Sequence, residues 1–328
     1  MGAADVKDSL HSIRQSAIDN RQFPQSPQSQ IANRKSQILP RLAIFASDIK
    51  LHHTVFALPF ALLSTFLAAN GMPAAGKLIL ILICMVTART MAMAANRLLD
   101  AKFDLLNPRT ARRAIPSGAL SVKFVVAIVV ICVAGFIAAT ALFQVVYHNP
   151  LPLILSAPVL LFLGAYPFLK RFTRLCHYYL GAALGLAPIC AWIAIRGDLE
   201  LPPILMSAGV LLWTAGFDII YACQDYEVDV QYGLHSVPSK LGIARALWVS
   251  RITHVLSVLA MLGVGLSTRH LGSLYFIGVG LAVLLLIVEH SLVRANDLSK
   301  VSLAFFTMNG MISVAMGTLG IIDVFMRR

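Results

Sequence analysis

The chain of 328 residues is 58% hydrophobic and only 13% charged, with a mean hydropathy of +0.77. That composition excludes a soluble globular domain, which has no use for so much apolar surface, and marks a polytopic membrane protein. The formal net charge of +12 does not make it a nucleic-acid binder, because the basic residues lie in short loops between apolar stretches and form no single soluble face.

Residues 1–47 are polar and rich in Ser, Gln, Asn and Arg, and are expected to form a disordered tail. The first long apolar run begins near Thr54, so no cleavable secretory signal is read; an organellar transit peptide stays open, with Asp5, Asp8 and Asp19 against it. Residues 48–328 read as one all-α intramembrane domain. Nine spans are predicted, near residues 52–70, 76–96, 123–147, 151–168, 176–195, 202–222, 244–267, 272–293 and 302–324. Most reach the roughly 20 residues a helix needs to cross a bilayer core. Pro59, Pro158 and Pro188 fall inside spans, where membrane helices tolerate them. Cys84, Cys132, Cys176, Cys190 and Cys223 stand singly in apolar segments and show no metal or disulfide spacing.

Lys and Arg concentrate in the tail and in the loops after the second, fourth, sixth and eighth spans. The positive-inside bias then sets the N-terminus on the cytoplasmic side of a cell inner membrane and the C-terminus on the other.

Three polar stretches lie on that cytoplasmic side. In the first, Arg89, Met93, Asn96, Asp100 and Asp104 follow steps of four, three, four and four, and share one face if the second helix continues through them. Arg109, Arg112 and Arg113 follow directly. Hard oxygen ligands backed by cations suit magnesium bound together with a phosphorylated ligand. In the second, Asp218, Tyr221, Asp225 and Asp229 step by three, four and four at the end of the sixth span, with Gln224 and Glu227 beside them. A carboxylate such as Asp218 near the end of a membrane helix is costly to retain, and marks a functional site or a structural partner for Arg89 or Lys170. The third stretch, Tyr166 to Arg174, carries Lys170 and Arg171, whose cations could hold diphosphate oxygens or could be an ordinary basic loop. A transporter would be the alternative use of such groups, but transporters usually gather them near the bilayer midplane, whereas both acid sets here cluster at one face.

These stretches together carry a resemblance. Asn96-x3-Asp100-x3-Asp104, then Asn107-Pro108-Arg109-Thr110-Ala111-x-Arg113 with Pro116-x-Gly118, then Tyr166-Pro167-x2-Lys170-Arg171, then Asp218-x2-Tyr221-x3-Asp225-x3-Asp229 resemble the signatures of UbiA-type intramembrane prenyltransferases, from about residue 48 to the C-terminus. The resemblance implies nine transmembrane helices around a central lipid-accessible cavity, Mg2+ as cofactor, a polyprenyl diphosphate donor and a small aromatic carboxylic acid as acceptor. Asn96, Asp100 and Asp104 would hold one metal ion and Asp225 and Asp229 the other. Arg89, Lys170 and Arg171, with Arg109 and Arg113 behind the first motif, would contact the diphosphate, and Tyr166 and Tyr221 would line the reaction site. Two positions depart from members acting on 4-hydroxybenzoate: Arg97 stands where Asp is frequent, and Gly233-Leu234-His235-Ser236 where Gly-x-Lys-Ser is frequent. The latter, with Gln224-Asp225 and the run from Ile49 to Phe60, looks more like the branch that serves menaquinone made through futalosine, which implies 1,4-dihydroxy-6-naphthoate as acceptor. Lys50 and His53, at the cytoplasmic end of the first span, are the candidate partners of the acceptor carboxylate, or simply interfacial anchors.

Overall fold

The computed structural model describes residues 27–327, with side chains from residue 38 onward except those of Leu51, His52 and His53. The expected disorder of residues 1–26 and the acceptor role of His53 therefore fall outside the described residues. Chain contacts divide the molecule at Ser47 and Asp48. Before that boundary the expectation of a wholly disordered tail is corrected, because helix α1 runs over Pro27–Asp48. Its C-terminal half, from Ile38 to Phe45, is dense in apolar residues that the polar average of the tail conceals.

The second unit is helical. A 3-10 turn, Leu51–Phe56, leads into α2 (Leu58–Ala68), followed by α3 (Ala75–Leu106), α4 (Val122–Tyr147), α5 (Leu151–Leu169), α6 (Cys176–Arg196) and α7 (Leu201–Ala222). A 3-10 turn at Cys223–Asp225 joins α7 to the short α8 (Tyr226–Gln231) and α9 (Val237–Leu241). The chain ends with α10 (Ile243–Leu266), α11 (Ser273–Leu292) and α12 (Asn309–Met326), the last preceded by a π-helical turn at Ala304–Met308. Among the described residues eight helices are long and apolar enough to cross a membrane, against the nine predicted. The difference lies in the first span, where only Thr54–Ala68 is an apolar helix: Lys50 takes a left-handed backbone (φ 49°), the 3-10 turn follows, and Pro59 opens the α-helix.

Local sequence explains the elements that shape the site. Helix α3 has 32 residues, about 48 Å at 1.5 Å per residue, against a hydrocarbon core of about 30 Å. Its last turns, with Asn96, Asp100 and Asp104, therefore need not sit in hydrocarbon. It stops at Leu106 because Asn107 precedes Pro108 and is driven to an extended backbone (φ −100°, ψ 116°). Ser121 restarts the helix, its side chain accepting the Phe124 N–H at 3.3 Å. Helices α6 and α7 are in close contact because Gly181 and Gly185 face the backbone carbonyls of Leu211 and Ser207, with no room for a side chain between.

Between these helices lies a cavity of about 380 Å³, lined by the first 3-10 turn, helices α3 to α7 and Phe305. Ile81, Phe143 and Ile193 make part of its apolar wall, while Arg89, Asn96, Arg97 and Arg113 contribute polar groups from α3 and the loop after it. Phe56, Phe217 and Phe305 contact one another with ring centroids 5.2 to 5.5 Å apart, and Phe305 meets Tyr221 at 4.4 Å.

Candidate active site

Because α3 continues unbroken past its apolar stretch, Arg89, Asn96, Asp100 and Asp104 lie on one helix at helical spacing. The Asn96 amide donates to Asp100 at 2.9 Å. Asp104 is buried and takes the Arg113 Nη1 on both oxygens, at 2.7 and 2.9 Å, while its backbone carbonyl accepts the Thr110 hydroxyl at 3.1 Å. The loop after α3 is thus folded back onto the motif that precedes it.

The second motif does not form one regular helical face. The 3-10 turn at Cys223–Asp225 interrupts it, and Asp225 and Asp229 are both buried. Asp225 receives Arg109 in two parallel bonds, Nε to Oδ1 at 2.9 Å and Nη2 to Oδ2 at 2.7 Å, with the Asn107 amide at 3.0 Å on Oδ1. Arg109 Nη1 also donates to the Tyr221 hydroxyl at 3.1 Å. Asp229 accepts the Ser236 hydroxyl at 2.7 Å and has Lys170 Nζ 2.6 Å from its other oxygen. Gln224, beside them, spans from the Tyr221 carbonyl (3.3 Å) to the Ser302 hydroxyl (3.5 Å).

The two motifs, more than a hundred residues apart, are therefore joined by the basic loops. Arg109 and Asn107 bridge from the first to Asp225 of the second, Lys170 holds Asp229, and Arg171 reaches Asp100 at 3.5 Å. Arg171 also stacks over Phe103 and Phe168, at 4.9 and 5.2 Å from the ring centroids. Burial works against the charges of Arg109 and Lys170, but the hydrogen bonds and charges of Asp225 and Asp229 outweigh it and hold both above their ordinary pKa values. Among the described residues no three His, Cys, Asp or Glu side chains form a metal-binding group, and Asp100, Asp104, Asp225 and Asp229 each face a cation.

Arg89 lines the cavity two turns before Asn96. Its Nη2 donates to the backbone carbonyls of Lys50 (2.9 Å) and Ile49 (3.3 Å), while its buried Nη1 has no hydrogen-bond partner among the described residues. It is not the structural partner of Asp218, whose carboxylate is bonded to His177 at 2.7 Å. Tyr166 and Tyr221 both line the cavity, as does Lys50, whose Nζ lies 6.0 Å from the Tyr221 ring centroid.

Sequence reasoning passed over two residues. Asp48 accepts Arg97 Nε at 3.1 Å and the Ala114 N–H at 3.0 Å, and so gives a partner to the buried arginine that departs from the family pattern. No spacing rule links residues so far apart. His177 was legible as a histidine opening an apolar span, where ionisable groups are rare.

Comparison with known proteins agrees with this geometry. The sequence profile of the UbiA prenyltransferase family matches residues 57–311. A 4-hydroxybenzoate octaprenyltransferase of Marinobacter nauticus is 31% identical over 245 residues, covering 74% of this chain and 81% of that one. Another, from Vibrio parahaemolyticus, is 31% identical over 257 residues, covering 77% and 87%. Among solved structures, a UbiA homolog from Aeropyrum pernix K1 superposes with a TM-score of 0.74 at 33% identity, covering 83% of this chain and 98% of that one. A UbiA homolog from Archaeoglobus fulgidus bound to DMAPP and Mg2+ shares the fold, with a TM-score of 0.66 at 18% identity, covering 86% and 99%.

Proposed function

This chain belongs to the UbiA prenyltransferase family, and on that premise we propose that it transfers a polyprenyl group from polyprenyl diphosphate to the ring of a small aromatic carboxylic acid in quinone biosynthesis. The observation that carries the reading is the union of the two acidic motifs through Asn107 and Arg109, beside a cavity walled by Phe56, Phe217, Phe305 and Tyr221. The relatives named 4-hydroxybenzoate octaprenyltransferase and the homolog holding DMAPP and Mg2+ support the same chemistry.

The residues present fit magnesium. Asn96, Asp100 and Asp104 on one side and Asp225 and Asp229 on the other offer only hard oxygen donors. Asp100, with 27% of its side chain exposed, accepts the Asn96 amide at 2.9 Å and meets its cation, Arg171, only at 3.5 Å, the longest of the motif ion pairs. These residues would hold magnesium, which would supply positive charge against the diphosphate leaving group. Arg89, Arg109, Arg113, Lys170 and Arg171 hold the diphosphate. The buried nitrogens Arg89 Nη1 and Arg171 Nε, without hydrogen-bond partners among the described residues, are donors of the kind an anion satisfies. The aromatic and aliphatic wall keeps water from the allylic cation and offers it π faces, with Tyr166 and Tyr221 near the polar groups. A lipid-like tail reaches such a cavity from the bilayer, and with Thr54–Ala68 counted as a ninth crossing the motifs face the cytoplasm of an inner membrane.

For the acceptor we favour 1,4-dihydroxy-6-naphthoate over 4-hydroxybenzoate on the Gly233 to Ser236 sequence, with Lys50 as the cation for its carboxylate and His53 offered from its sequence position alone. Purified full-length chain in lipid nanodiscs, given labelled polyprenyl diphosphate and both acids in competition, should yield prenylated naphthoate by mass. Chelator or Asp225→Ala should abolish the product. Exclusive prenylation of 4-hydroxybenzoate overturns the acceptor assignment, and undiminished turnover in excess chelator overturns the metal-assisted reaction.

A further inference from the structure

Prenylation of an aromatic ring needs a step that neither the diphosphate clamp nor the aromatic wall performs. The donor's allylic C–O bond breaks with its electron pair leaving on diphosphate, and a π pair of the acceptor forms the new C–C bond. The ring carbon then carries both the prenyl group and a hydrogen. That C–H bond must break, its pair returning to the ring, and something must take the proton. Water is a poor candidate inside a cavity built to exclude it.

The geometry points to Asp218 as the group that takes this proton, with His177 as the residue that positions it, a proposal that rests on the transferase reading above. Asp218 lines the cavity with 17% of its side chain exposed, while His177 lies behind it at 3%. Asp218 also lies apart from the ion-paired motif carboxylates, its partner being a histidine in place of an arginine or lysine. The tautomer of that histidine follows from its two contacts. The Val237 N–H donates to His177 Nε2 at 3.2 Å, so Nε2 is the lone-pair nitrogen and the proton sits on Nδ1, which donates to Asp218 Oδ2 at 2.7 Å. One carboxylate oxygen is thus held by His177, and the other oxygen of this cavity-lining side chain has no hydrogen bond among the described residues.

The fold builds this pair deliberately. Gly185 against Ser207 and Gly181 against Leu211 step along the antiparallel α6 and α7, and one turn further along α6 and two along α7 His177 and Asp218 meet through their side chains. Val237 opens α9, in which Ser236 and Ser239 cap each other, so the donor N–H to His177 is itself fixed. The same Ser236 donates to Asp229, so the carboxylate of the cavity and a carboxylate of the second motif are both anchored at the start of α9.

The test uses full-length protein in nanodiscs, an acceptor deuterated at the reacting ring position, and a donor carrying 18O in its bridging oxygen. Scrambling of that 18O reports breakage of the donor C–O bond whether or not product forms. Asp218→Asn keeps the shape and still accepts from His177. Product formation should fall by about 100-fold or more, the scale of a lost general base, while 18O scrambling persists and a primary deuterium isotope effect absent in the parent appears. His177→Leu should lower kcat with little change in either KM, and His177→Asn, which returns an N–H near the Nδ1 position, should recover turnover that Leu loses. Parent-like turnover in Asp218→Asn, or a slow variant without an isotope effect, overturns the proposal. Loss of 18O scrambling together with product in a variant with the parent's thermal midpoint also overturns it, because Asp218 would then serve the donor. A parent that scrambles nothing and prenylates neither acid refutes the transferase reading itself.

Discussion

Replacing Arg89 by Met retains the aliphatic stem along the cavity wall and removes a guanidinium whose buried Nη1 has no hydrogen-bond partner among the described residues. A hydrogen bond to a charged group contributes about 1.5–3 kcal/mol, and about 1.4 kcal/mol is tenfold in affinity. Losing one such bond to the donor diphosphate should therefore raise its Kd about 10- to 150-fold. A second effect has a different readout. Arg89 Nη2 holds the carbonyls of Ile49 and Lys50 at the left-handed corner before the first 3-10 turn, and leaving those acceptors unpaired costs about 1–3 kcal/mol of stability. Equilibrium binding of labelled polyprenyl diphosphate to the purified chain with magnesium, run beside thermal unfolding, separates the two. A variant with a lowered thermal midpoint but unchanged donor Kd in its folded fraction would show that Arg89 only braces the corner, and the diphosphate role would be refuted.

Gly181→Ala should destabilise the fold by about 1–3 kcal/mol, since its Cβ meets the Leu211 carbonyl, whereas Gly280→Ala, with nothing within 4 Å of the added carbon, should leave the thermal midpoint unchanged or raise it slightly. Equal midpoints for the two variants would contradict the close α6–α7 contact. Burial lowers the Lys170 pKa but Asp229 raises it further, to a net value above 10.5; a raised cationic pKa gives stability that is whole below 10.5 and fades as pH climbs through the folded value. The parent should therefore lose thermal stability more steeply than Lys170→Gln above pH 10.5, and parallel profiles would remove the Lys170–Asp229 pair from the account.

Much of the architecture is a local property of the chain, which is why it could be read in advance. A helix of 3.6 residues per turn converts apolar runs of about 20 residues into membrane spans, and steps of three and four place Arg89, Asn96, Asp100 and Asp104 together on α3 without reference to any other element. Asn107-Pro108 and Ser121 announce their helix boundaries in the same local terms. The polar average of the tail hid the helix in α1, and the length of the first apolar run hid the left-handed Lys50 and the 3-10 turn that shorten it. Tertiary structure alone decided the partners. Arg109 with Asp225, Lys170 with Asp229, Arg97 with Asp48 and His177 with Asp218 are chosen by which loops fold over which helix ends, and like charges at like spacing offer many pairings that periodicity cannot rank. A buried ion finds its counter-ion by proximity in space, because the desolvation it suffers is relieved only at contact distance, and that distance is set by packing such as the Gly181 contact with Leu211, not by position along the chain.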